Sequence, residues 1–290
     1  MYAIYNYQAG ATQANVVADL IKLITGETNK ANLSADCVQA NTTITSTVAA
    51  GWSVYDASAG TNYQVVRVLN QDAATYKYFG LEFSSTTVFK TYICESWNSG
   101  THAATNAQSY ITGVWNSTGG GYFYLYVTAK NIVIFPWTSG GYQLLHGIFE
   151  FSRDTIPSGY PCAALITNAT YLGSGNAQSI SFPRVKKTDA VGDATTNNAI
   201  AYGSPIVPAF SNVLGVTQTY RDASENIYLA TYKLGAILTA TYVHMGTGYD
   251  VLLTGNVAGS ALDQISYGGT NYVLFLKTGS SNSTLLVPLA

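Results

Sequence analysis

Tyr122-Phe123-Tyr124-Leu125-Tyr126-Val127 alternates without interruption, with tyrosine on one set of positions and Phe, Leu and Val on the other. A period of two is the period of a β-strand, whose successive side chains point to opposite faces. The Phe123, Leu125 and Val127 face therefore belongs to a core. The face of Tyr122, Tyr124 and Tyr126 has two readings. It packs against a second aromatic layer, or it forms a contact surface, since tyrosine suits a boundary with one wet and one dry side.

The same pattern runs through residues 51–98. Trp52 and Val54 begin a strand, and 56–62 is a Gly/Ser/Asn-rich connection in which Gly60 can take a positive φ. Residues 63–69 place Tyr63, Val65, Arg67 and Leu69 on one face and Gln64, Val66 and Val68 on the other, so both faces are covered. A turn at 70–74 leads to a returning strand over 75–83, and 88–94 adds another. Residues 96–109 read as a loop holding Trp97 and His102. Short strands follow at 110–115, at 131–135 (ended by Pro136 beside Trp137), at 142–151 and at 163–169.

Residues 2–7 read as a strand and 12–24 as the one helix. Val16, Leu20 and Ile24 recur every fourth position, Val17 and Ile21 widen the stripe, and Asp19 and Lys22 fall elsewhere on the wheel. Thr12 is its N-cap and Gly26 its stop. The polar stretch 28–50 holds one or two short strands.

Composition shifts after Gly173, and the charged, Thr/Asn-rich stretch around Arg184, Lys186, Lys187, Asp189 and Asp193 marks a boundary. The expected organisation is a helix plus antiparallel β domain over 1–184, a linker over 185–199 and a smaller C-terminal β domain over 200–290. Within that last unit strands are expected near 213–220, 227–232, 236–244, 249–254 and 272–277, with turns at 221–226 and 268–271. The apolar tail 284–289 is a final strand or an arm lying on a neighbour. The fold class is mainly β, with an antiparallel β-sandwich-like domain and one N-terminal helix.

Gly51-Trp52-Ser53-Val54-Tyr55-Asp56, residues 65–72 leading into Thr75-Tyr76-Lys77-Tyr78, Glu95-Ser96-Trp97-Asn98, and Gly147-Ile148-Phe149-Glu150-Phe151-Ser152-Arg153-Asp154 form a succession of aromatic signatures. Together they resemble a module of the virion structural proteins of tailed bacteriophages, over roughly the first two thirds of the chain. The resemblance implies a structural role in the particle and carries over no catalytic residues.

Charge supports an assembly role. Only 10% of residues are charged, against about 25% in an ordinary soluble domain, while 47% are hydrophobic and 23 are tyrosine. A solitary protein keeps itself dissolved with charge, so a surface of Tyr, Thr, Asn and Ala is expected to be covered by neighbouring subunits. A homo-oligomer in the tail or baseplate of a virion is the leading expectation, with assembly in the bacterial host cytoplasm. Its partners would be copies of itself and other virion proteins. Tyr122, Tyr124, Tyr126, Trp97 and Trp137 are the interface candidates.

A net charge of −2 and a pI near 5.9 argue against a nucleic-acid surface. No apolar run reaches the ~20 residues of a membrane helix, and no basic-then-apolar leader opens the sequence. Neither nucleic acid nor membrane is an expected partner. Cys37, Cys94 and Cys162 lack finger or CxxC spacing and read as buried thiols, so no metal and no cofactor are expected.

No nucleophile elbow, zinc-protease motif or phosphate loop occurs, and the protein is expected not to be an enzyme. A hydrolase built on His102, His146 or His244 would need a carboxylate and a hydroxyl brought beside one of them. Glu150 and Asp154, four apart on a strand, would lie about 13 Å from each other, too far for a glycosidase pair. The alternatives are a head decoration protein, or a fibre or receptor-binding module that holds a host surface glycan on Trp97, Trp115 and Trp137.

Overall fold

The first strand, β1 (Tyr2–Tyr7), is followed by α1 (Gln13–Ile24) and, after a 3-10 turn at Lys30–Asn32, by the short strand β2 (Thr43–Thr45). These come from a computed structural model that describes residues 1–45, 50–60, 62–69, 75–85, 88–94, 96–105, 108–112, 118–138, 146–150, 163–168, 178–181, 185–186, 193–194, 229–238, 241–254, 264–267, 269–276 and 284–288.

Both ends of α1 are capped as the residues at its ends dictate. Thr12 Oγ1 accepts from the Asn15 N–H at 3.3 Å. At the other end Gly26 N–H donates to Leu23 O at 3.1 Å and Glu27 N–H to Lys22 O at 2.9 Å, with Gly26 at φ 104°. This 6→1 and 5→2 pair is the Schellman arrangement, which needs a left-handed residue where glycine stands. Val16, Val17, Leu20, Ile21, Leu23 and Ile24 are all buried.

Asp19 departs from the expected polar face: it is buried too. It accepts from Tyr5 Oη at 2.9 Å and from Ser34 N–H and Oγ at 2.9 and 3.0 Å. The loop after the helix folds back over the wheel's polar side and supplies the donors that a buried carboxylate requires.

The second group of strands runs β3 (Ser53–Gly60), β4 (Tyr63–Leu69), β5 (Tyr76–Ser85), β6 (Val88–Cys94), β7 (Ser96–Asn98), β8 (Ala103–Thr105) and β9 (Gln108–Thr112). Five of them form an antiparallel sheet in the order β3-β4-β5-β6-β9. Two expectations are corrected here. The connection at 56–62 is mostly strand, because register shifts between Val54 and Asp56, and between Asp56 and Gly60, let β3 continue its pairing with β4. The loop at 96–109 instead contains a small hairpin, β7 with β8.

The first sheet is completed by β10 (Gly121–Val127), β11 (Asn131–Thr138), β12 (His146–Glu150), β13 (Ala163–Asn168) and β14 (Gln178–Ser181). Its seven strands lie in the order β14-β13-β12-β11-β10-β1-β2, with every neighbouring pair antiparallel. Pro136 does not end β11: it stands opposite Phe123, and the strand reaches Thr138.

The two sheets face one another across a common core. Ala3, Tyr5, Tyr7, Phe123, Leu125, Val127, Ile132 and Ile134 come from the first sheet, and Val66, Val68, Phe79, Leu81, Phe83, Phe89 and Ile93 from the second. Phe123 meets Phe89 and Phe83 across the gap, with ring centroids 5.7 and 6.4 Å apart. Helix α1 packs against β1 of one sheet and β4 and β5 of the other. This is the sandwich-like arrangement that the alternating strands predict.

Beyond it, β15 (Val185–Lys186) pairs with β16 (Asp193–Ala194), both inside the stretch expected as a linker. The C-terminal strands β17 (Leu229–Leu238), β18 (Thr241–Thr254), β19 (Gln264–Tyr267), β20 (Thr270–Leu276) and β21 (Thr284–Pro288) form a five-stranded antiparallel sheet in the order β17-β18-β21-β20-β19. The tail is thus a strand between two others. The strand expected near 236–244 is divided between the end of β17 and the start of β18, and β18 runs on through the strand expected at 249–254, with register shifts in its pairing to β17. The strand expected at 213–220, the turns at 70–74 and 221–226, Trp115 and Cys162 lie outside the described residues.

Candidate binding face

The outer surface of the second sheet carries most of the described chemistry. It is built at a bulge. Val54 stands opposite Val66 and Asp56 opposite Val65, so Tyr55 is an extra residue on β3. A bulge breaks strict alternation, and here Tyr55 and Asp56 both engage groups of the outer face. Tyr55 meets the Tyr78 ring at 5.5 Å and the Arg67 guanidinium at 4.1 Å. Asp56 turns toward the β7–β8 hairpin.

That hairpin is held by Asp56, which is only 2% exposed. Its Oδ2 accepts from Trp97 Nε1 at 2.7 Å, and His102 Nδ1 lies 2.8 Å from the same oxygen. An ionised carboxylate only accepts, so Nδ1 carries the proton in this pairing. The His102 side chain is 40% exposed. Its backbone sits at φ 50°, the one non-glycine residue with positive φ among those described. It closes a turn begun by Asn98, whose Oδ1 accepts from the Gly100 and Thr101 N–H groups at 2.9 and 3.2 Å. The left-handed region is costly for a β-carbon, and the bond to Asp56 offsets that cost.

Trp97 covers a small second core with Val65 and Cys94, against which Tyr55, Tyr63, Tyr78 and Ala104 pack. The Tyr63 ring meets Trp97 and Tyr92 edge-on at 5.5 and 5.6 Å. It can lie there because Gly80 is beneath it: a Cβ at Gly80 would come within 3.1 Å of Tyr63 Oη. Burial pushes the Tyr63 and Tyr92 phenols well above the usual tyrosine range, and for Tyr92 the hydrogen bond it donates to Glu82 adds to the shift. Glu82 also faces Lys90 at 4.0 Å.

Next to this cluster Arg67 lies over a second ring, Tyr76, at 4.2 Å. Tyr78 shares a hydrogen bond with Arg67, and burial raises the pKa of its phenol despite that cation. Leu69, on the same face of β4, is 46% exposed, as is Val54 on the edge strand.

The tyrosine stripe of β10 is placed differently. Tyr126 stands opposite Tyr2 of β1, and Tyr122 opposite Trp137 of β11. Tyr124 and Tyr126 are buried within the chain, while Tyr122 is half-buried and packs edge-on against Tyr124 with centroids 5.0 Å apart. Burial raises the Tyr124 phenol first, and its hydrogen bond with Tyr122 second. Within the stripe, then, Tyr122 offers the most surface. Trp97 and the stripe lie on different sheets, so the expected interface residues do not form one patch.

His146 is on β12 and His244 on β18, in different sheets from each other and from His102. Glu150 forms a buried ion pair with Lys77, whose ammonium also donates to Ala129 O at 2.9 Å. Neither the Asp56–Trp97–His102 cluster nor the Lys77–Glu150 pair was anticipated from spacing. Asp56 is separated from Trp97 by 41 residues and Lys77 from Glu150 by 73. The only signal was the type of residue, a lone acid or base within an aromatic strand.

Among the described residues no group of three or more His, Cys, Asp or Glu is arranged to hold a metal. No described helix is long and apolar enough to cross a membrane. No protein-family model matches the chain, and no curated protein matches it.

Proposed function

We propose that this protein is a non-enzymatic structural component of a tailed-phage virion that works as a homo-oligomer, in the tail or baseplate. The observation that carries this reading is the shortage of surface charge. The chain has 13 basic and 15 acidic residues, and Asp19, Asp56, Lys77 and Glu150 are buried. Four of these few charges are therefore not available to the exterior. A surface of hydroxyls, amides and tyrosines, with exposed Val54 and Leu69, is better suited to subunit contacts than to a dilute solitary life. The aromatic signatures that resemble phage virion proteins lie largely on β3, β4, β5 and β7, the strands of the face described above. In such a particle, copies of the chain and other virion proteins would close over this surface.

Size-exclusion chromatography with light scattering tests the proposal. A mass that is a multiple of 30.9 kDa is expected, and a monomer persisting as concentration is raised would sink it. Labelling the protein on intact particles distinguishes tail from head, where a decoration role would place it.

The outer face of the second sheet favours a second reading, a fibre or receptor-binding module that holds a saccharide. Partly exposed Tyr55, Tyr76 and Tyr78 present ring faces and phenol groups beside a cation, the mixture that small-molecule sites use to fix orientation.

A further inference from the structure

We infer that this outer face binds an acidic sugar, a pyranose bearing a carboxylate, with Arg67 as the group that takes the carboxylate. The inference rests on the saccharide reading of the face and requires that neighbouring copies leave Arg67 uncovered.

Arg67 is held in place by the sheet. It is on β4, flanked in the sheet by β3 and β5, directly opposite Ser53 on one side and Tyr78 on the other. Its guanidinium stacks on the rings of Tyr55 and Tyr76, 4.1 and 4.2 Å from their centroids. A guanidinium held over aromatic ring faces can still hydrogen-bond through its in-plane N–H edge. Tyr78 uses part of that edge.

Among the described residues no acid is paired with the remaining edge. The ion pairs Lys22 with Asp19, Lys77 with Glu150, Lys90 with Glu82 and His102 with Asp56 do not involve it. Asp56, the acid nearest in sequence to Tyr55, has its Oδ2 committed to Trp97 and His102. A half-buried, preoriented guanidinium is thus left facing outward from a protein whose net charge is −2. The planar fork matches a carboxylate in two parallel hydrogen bonds.

The rim around it selects a sugar over a peptide acid. Tyr55, Tyr76 and Tyr78 supply ring faces for the C–H surface of a pyranose and phenol groups for its hydroxyls. The bulge on β3 sets Asp56 beside Tyr55, which brings the partly exposed His102 to the same region as a further hydrogen-bonding group. Leu69 is the single strongly exposed aliphatic residue on this face of β4, so a peptide side chain has little apolar lining to enter.

Titration of the full chain with glucuronate, glucose and acetate tests the inference. Glucuronate is expected to bind saturably, with glucose and acetate each at least about tenfold weaker, since each lacks one half of the recognised pattern. Arg67→Lys keeps the charge but loses the fork, and is expected to weaken glucuronate by about tenfold, as is Arg67→Met. Circular dichroism and the light-scattering mass should be unchanged in Arg67→Lys. Equal binding of glucuronate by wild type and both variants would overturn the acid site. If glucose binds as tightly as glucuronate, the saccharide reading survives and the role of Arg67 falls. If no sugar binds at all, both fall. A variant that changes the mass and leaves glucuronate binding intact would assign Arg67 to contact between copies instead.

Discussion

Buried polar side chains decide the local stability of this protein. Asp19 lies inside the helix–sheet junction and accepts hydrogen bonds from Tyr5 and Ser34, both brought to it by other parts of the chain, with Lys22 3.7 Å away. Asp19→Ala would leave the Ser34 N–H and the Tyr5 hydroxyl without their acceptor, at a cost of about 2–4 kcal/mol. Urea denaturation should show that loss as a lower midpoint with little change in slope. Cys37, 3.0 Å from Tyr5 Oη, is pushed up by burial from 9.0 to about 11, and Tyr2 from 10.0 to about 12. Unfolding releases these groups to their ordinary values, so between those limits the folded state holds more protons than the unfolded one. Their stabilising contribution is complete below about pH 9 and is lost as pH rises through the folded values. Chemical denaturation midpoints should therefore fall above pH 9, and a flat profile from pH 9 to 11 would contradict the assignment. In the same way the Cys37 thiol should resist alkylation at pH 8 until denaturant is added.

At the scale of elements, the two sheets are joined by more than their apolar core. Lys77 of β5 reaches Glu150 of β12 and the Ala129 carbonyl in the β10–β11 turn, and Trp52 Nε1 donates to Thr128 O in the same turn at 2.7 Å. An ion pair this deeply buried gives back in attraction about what it costs in desolvation, so its removal as a pair is tolerated while its half-removal is not. Lys77→Met alone should destabilise by about 3–5 kcal/mol, and Lys77→Met with Glu150→Leu should recover most of that loss. Thermal unfolding of the two single variants and the double variant provides the cycle. Equal destabilisation by the single and double changes would mean that packing, and not charge, holds this end of the sandwich.

For the whole molecule, the pattern that matters is where the few charges lie. With some of them spent inside, contacts between copies would be made by tyrosine, aliphatic and amide groups, which salt screens weakly. If the assembly proposal holds, raising the salt concentration to about 1 M should leave the oligomer mass intact or strengthen it. Dissociation by salt would point to an ionic interface. Much of this architecture was legible in the residues. The alternation at 122–127, the stripe and caps of α1 and the boundaries of β1, β4 and β6 follow from period and from capping chemistry, which act over a few neighbouring residues. The bulge at Tyr55, the passage of β11 through Pro136 and the β7–β8 hairpin were not legible. Each depends on what the adjacent strand offers, and the sequence does not state which strand is adjacent. The sites lay furthest from view. That Asp56 would hold Trp97 and His102, that Glu150 would meet Lys77, and that Arg67 would stack between partners with no acid among the described residues paired to it are consequences of register across strands. Sequence by itself determined that strands would run over 2–7, 63–69, 88–94 and 122–127 and which of their faces would be apolar, because backbone period and side-chain hydrophobicity are local properties. Only the tertiary structure decided which polar groups would be buried together, because that depends on contacts among residues tens of positions apart.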